Sequence, residues 1–86
     1  IKALVKHERG VRSIAFSPDG TVLASASEDA VCVLWRVGTW GEITSFKVSS
    51  PIARAGIDSV AFSKSGKYIV LALDDRTVRV RTQKNH

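Results

Sequence analysis

The sequence predicts an all-β chain made of two tandem copies of one antiparallel unit. Two observations carry this. First, VRSIAFSPDG at 11–20 returns as IDSVAFSKSG at 57–66, an offset of 46 residues. At that offset Ser13/Ser59, Ala15/Ala61, Phe16/Phe62, Ser17/Ser63, Gly20/Gly66, Ala26/Ala72 and Asp29/Asp75 coincide. Self-similarity at this period marks stacked units that cannot bury their apolar faces alone. Second, the segments between turn signals are short and strand-like, and no stretch carries an i, i+3, i+4 apolar stripe of helical length between caps.

The elements follow in order. Ile1 to Val5 has strand character. In Val11–Phe16, Val11, Ser13 and Ala15 alternate with Arg12, Ile14 and Phe16. Both sets are largely small or apolar, which suits a strand covered on both faces. Ser17-Pro18-Asp19-Gly20 is a turn: proline presets φ, aspartate bonds its own backbone and glycine takes the positive φ. Thr21–Ala26 is the second strand, Glu28-Asp29-Ala30 a tight turn, and Val31–Trp35 a third strand rich in β-branched residues. Gly38-Thr39-Trp40-Gly41 is a loop before a fourth strand, Glu42–Val48. After the longer connection SSPIARAG (49–56) the cycle restarts with strands at Ile57–Phe62, Tyr68–Leu73 and Thr77–Arg81. The frame is one strand, then four, then three.

Bulk properties narrow the class. With 44% hydrophobic and 24% charged residues the composition is that of a folded domain rather than a disordered chain. Its apolar runs are too short for a membrane-spanning helix, and no charged leader with an apolar core is visible. The chain starts at Ile1 and contains no Met, which reads as a piece of a longer chain. The net charge of +5 comes from 13 basic residues interleaved with 8 acidic ones and not from a basic block. Cys32 is the single cysteine and excludes an internal disulfide framework; in an apolar strand it reads as a buried, inert thiol in a reducing, intracellular compartment. His7 and His86 with one cysteine do not make a metal site.

His7, then VRSIAFSPDG, LASASED at 23–29 and VCVLW at 31–35 together resemble a WD repeat, the blade unit of a β-propeller. The first unit matches well and the second is degenerate. The resemblance implies four-stranded antiparallel blades arranged radially. It frames the chain as the outer strand of a preceding blade (1–6), a complete blade (7–48), a connecting loop (49–56), a second, incomplete blade (57–83) and a tail (84–86). It also implies a buried polar network of His7, Ser25, Asp29 and Trp35, with Ser27 as an alternative member. Asp29 would accept from the imidazole, and Ser25 would link His7 to the Trp35 indole, so that no buried polar atom stays unpaired. In the second unit those positions are Ala53, Leu71, Asp75 and Arg81. Asp75 then needs another partner, and an arginine among Arg76, Arg79 and Arg81 is expected to pair with Asp75 or Asp74.

The resemblance places partner binding on the loops entering the first strand and joining the second to the third. In this sequence that face holds Lys6, Glu8, Arg9, Ser27, Glu28 and Ala30, then Arg54, Ala55, Asp74 and Arg76. Trp40, in the loop of the opposite face, is either an exposed anchor or folded back on its own blade. The functional expectation is a non-catalytic protein–protein interaction scaffold without cofactor, cytoplasmic or nuclear. It would be part of a larger propeller, completed by its remaining blades or by further copies of the chain. The alternative is a scaffold in a ribonucleoprotein or chromatin assembly that contacts nucleic acid through basic loops. His7, Ser25 and Asp29 have the composition of a hydrolase triad, but the tryptophan and the strand-and-turn placement favour a structural network.

Overall fold

A computed structural model describes residues 3–50 and 55–83. Seven strands run β1 (Val11–Phe16), β2 (Val22–Ser27), β3 (Val31–Arg36), β4 (Glu42–Lys47), β5 (Ile57–Phe62), β6 (Tyr68–Leu73) and β7 (Val78–Thr82). β1–β4 form one antiparallel sheet in chain order and β5–β7 a second. No helix occurs among the described residues.

The local chemistry sets the boundaries. Asp19 Oδ1 accepts from Ser17 Oγ, Thr21 N and Thr21 Oγ1, so Thr21 is held in the turn and β2 starts one residue later than predicted. These bonds hold the Asp19 carboxyl at about 2. Thr77 is likewise held by Asp75 through its backbone N–H and hydroxyl, and β7 begins at Val78. Ala30 (φ 64) and Arg76 (φ 70) occupy the left-handed region in the β2–β3 and β6–β7 hairpin loops. Of the expected N-terminal strand, Ile1 and Lys2 lie outside the described residues and Ala3–Val5 carry no strand. A strand needs a hydrogen-bonded neighbour; Leu4 instead packs on the Leu23–Val33–Trp35 cluster.

Alternation divides β2 between two layers. Val22, Ala24 and Ala26 join Cys32 and Leu34 in a core shared with Ile57, Val60, Ile69, Leu71 and Leu73 of the second sheet. Leu23 faces the other way, with Val33 and Trp35. Burial pushes the Cys32 thiol up to about 12. The sheets therefore meet face to face, one blade on the next.

Polar contacts fix that junction. A register shift in β1 at Val11/Ser13 and another at the equivalent Ile57/Ser59 mark a bulge in the first strand of each sheet. The bulged residues pair across the blades: Arg12 Nη1 donates to Asp58 Oδ1 at 2.5 Å and also to Asp74 Oδ1 at 3.2 Å. These bonds raise the Arg12 guanidinium above its usual range. Ser13 Oγ accepts from Val60 N at 3.2 Å. Gly56 lies so close to the Glu28 backbone that a Cβ would fall 2.7 Å from both Glu28 Cα and O.

Candidate partner-binding face

In the first blade Trp35 Nε1 donates to Ser25 Oγ at 3.0 Å, and Ser25 Oγ lies 2.7 Å from His7 Nε2. The indole has only a donor to offer, so the hydroxyl accepts from it and closes the chain of bonds with the imidazole. Ser25 is buried, and its oxygen is occupied on both sides. Asp29 is placed differently from the expected pattern. Its Oδ1 takes the Ser27 hydroxyl and Val31 N, and its Oδ2 takes Glu8 N. His7 Nδ1 is 3.7 Å from Asp29 Oδ1, too far for a hydrogen bond, and stays buried without a partner. The serine two residues along the same face is the one that meets the aspartate. Glu8, on the entering loop, is thereby tied to the β2–β3 turn.

The second blade replaces this largely neutral network with an ionic one. Asp75 Oδ2 accepts from Ser50 Oγ at 2.6 Å and Arg79 Nη2 at 3.3 Å. The Ser50 and Thr77 hydrogen bonds hold its carboxyl at about 2. Arg79 Nη1 also donates to Ser49 O at 2.8 Å, so this one side chain ties the interblade connection to the β6–β7 turn. Arg79 is thus the expected arginine partner. Arg81, in the tryptophan position, lies over the Phe46 ring at 4.0 Å from its centroid.

The loops held by these networks surround an open depression of about 650 Å³ between the blades. Arg9, Glu28 and Asp74, singled out from the sequence, line it beside Arg12, Lys47 and Ser50, which were not. Arg12 lies on a strand in the sequence pattern, and only the bulge with its carboxylate partners brings it to this rim. Lys47 closes β4, a strand end whose spatial neighbours no local motif gives. Glu8 and Arg76 are exposed on the same set of loops. Lys6 turns to the other end of the sheet, its Nζ 3.5 Å from Glu42 Oε1 at the start of β4. Trp40 (φ 62) is half-buried and packs against the Leu23–Val33–Trp35 cluster. Arg54 lies outside the described residues. Among the described residues no group of three His, Cys, Asp or Glu side chains could hold a metal ion.

A four-stranded and a three-stranded antiparallel sheet, stacked and each with a polar network joining its entering loop to its second turn, have the build of propeller blades, the second incomplete. The family description "WD domain, G-beta repeat" matches residues 1–36 and 41–81, and the chain belongs to this family. Among curated proteins it is similar to Protein HIR1 of Candida albicans, 29% identical over 79 residues, and to Protein HIR1 of Eremothecium gossypii, 30% identical over 79 residues. It is also similar to Protein hir-1 of Neurospora crassa, 29% identical over 79 residues. Each match covers 92% of this chain and 8%, 9% and 7% of the respective relative. The chain thus spans less than a tenth of the relatives' length.

Proposed function

We propose that this chain is a non-catalytic protein–protein interaction scaffold, two blades of a larger WD-repeat propeller within a multiprotein complex. Its docking face is the depression ringed by Arg9, Arg12, Lys47, Glu28, Asp74 and Ser50. The single observation that carries the reading is the construction of this face: charged side chains of both signs, from strands and from loops fixed by networks beneath them, stand at the rim of a two-sheet scaffold. Interspersed charge suits a polar peptide or protein segment better than a uniform phosphate backbone. The Ser25 hydroxyl, buried under Trp35 and His7, is no accessible nucleophile, which supports the non-catalytic reading.

The test compares proteins captured from extract by the chain and by an Arg9→Glu/Lys47→Glu variant, with Thr39→Glu on the opposite face as control. The reading expects a reproducible set lost with the double variant and kept with the control. Capture that is equal for all three would sink it. Binding of duplex DNA or RNA with a steep salt dependence, abolished by the double variant, would move the assignment to a nucleic-acid assembly.

A further inference from the structure

Three charged residues of the depression stand in a row across the first sheet. Gly10 O accepts from Glu28 N at 3.1 Å, and Ala30 O accepts from Val48 N at 2.9 Å. The β2–β3 turn is therefore tied on one side to the residue after Arg9 and on the other to the residue after Lys47. In the sheet order β1-β2-β3-β4 these two cations are three strand spacings apart, about 14 Å, with Glu28 between them. Arg9, Glu28 and Lys47 all line the depression.

These charges are not spent within the chain. All eight acidic residues lie among the described residues, and neither Arg9 nor Lys47 forms an ion pair with any of them. Glu28 Oε1 has Arg12 Nε at 3.5 Å, but that guanidinium also meets Asp58 and Asp74. One positive charge against three negative ones leaves the cluster negative. Asp29, hydrogen-bonded to Ser27, Val31 N and Glu8 N, adds negative charge at the same turn. Glu8 itself does not line the depression. Across the turn the available charge runs positive, negative, positive.

We propose that this row docks an extended segment of a partner protein with the charge order acid–x–base–x–acid. In an extended chain the side chains at i, i+2 and i+4 point to one side, and i to i+4 spans about 13 Å. That span matches the distance from Arg9 to Lys47. The two end carboxylates meet Arg9 and Lys47, and the central lysine or arginine meets Glu28. Each such surface pair is weak alone, so the order of charges carries the selection: a wrong order sets like charges together. A nucleic-acid backbone, negative at every step, would set a phosphate against Glu28. The inference deepens the docking reading of this face and rests on it.

Fluorescence anisotropy at low ionic strength tests it with labelled peptides that share neutral flanks. A Glu-Ser-Lys-Ser-Glu core should bind about tenfold more tightly than Glu-Glu-Ser-Ser-Lys, which has the same composition in another order. Lys-Ser-Glu-Ser-Lys should bind more weakly still, and the differences should fade as salt is raised. Arg9→Glu/Lys47→Glu, both at exposed positions, should keep the circular dichroism of the chain, lose the first peptide and bind Lys-Ser-Lys-Ser-Lys instead. Thr39→Glu should change nothing. Equal binding of the three charge orders, or binding of the first peptide that survives the double variant, would overturn the proposal. If no peptide binds while capture from extract still depends on Arg9 and Lys47, the docking reading stands and the charge order falls. Duplex DNA bound through Arg9 and Lys47 in place of the peptides would overturn it in favour of a nucleic acid.

Discussion

Ser25 is the residue on which two buried groups depend. Ser25→Ala leaves the Trp35 N–H and His7 Nε2 without their partner. Each unpaired group costs about 1–3 kcal/mol, so the variant should lose about 2–4 kcal/mol of stability in urea denaturation. Asp75 gives a pH signature. Its carboxyl lies at about 2 in the folded chain against an ordinary 3.8, because Ser50, Thr77 and Arg79 favour the charged form. A depressed folded value means the stabilisation is complete above pH about 4 and is lost as pH falls through about 2. The thermal midpoint should fall across that window, and Asp75→Asn should flatten part of the fall; Asp19, held equally low, contributes to it as well. A midpoint profile unchanged by Asp75→Asn would refute this. Cys32 should resist Ellman's reagent in native buffer and react on unfolding, since its thiol is buried and raised to about 12.

Among elements, the hairpin loops and the interblade connection make the sharpest demands. Ala30 and Arg76 occupy the left-handed region, where a side chain clashes with its own carbonyl. Arg76→Gly removes that strain at the expense of a more flexible unfolded chain, so a gain of about 0.5 kcal/mol is expected from chemical denaturation. Gly56→Ala is the opposite case. Its methyl would meet the Glu28 backbone at 2.7 Å, and backbone does not yield cheaply. A loss of about 1–3 kcal/mol is expected, with the two sheets forced apart, whereas Gly10→Ala should leave the stability of the single chain within about 0.5 kcal/mol. Equal losses for the two glycines would show that the junction is not as tight as it stands.

At the scale of the whole molecule, one core runs between two sheets while further apolar surface faces outward on both sides. The blade order was legible because turn chemistry and period-two alternation are local signals: Ser17–Gly20 and the short loop at 28–30 announce themselves in any context. The first network was partly legible. His7, Ser25 and Trp35 do meet, but Asp29 turns to Ser27 because a carboxylate two residues along the same hairpin is nearer to that hydroxyl than to the imidazole. The Arg12 bridge was not legible. Nothing local distinguishes an arginine in an alternating strand from one at a bulge that faces the carboxylates of Glu28, Asp58 and Asp74. Lys6 and Trp40 were assigned by loop membership, yet their side chains follow Glu42 and the Leu23–Val33–Trp35 cluster, neighbours that only packing supplies.

By itself the sequence determined the strands, the turns, the repeat and the family, because each is written in residues close together along the chain. The tertiary structure decided which arginine meets which carboxylate, which glycine is compressed, and which charged residues share one rim. Those choices arise between distant residues, Gly56 with Glu28 and Arg12 with Asp58 and Asp74, where the energy of contact depends on how two finished sheets are stacked, and no local pattern encodes that.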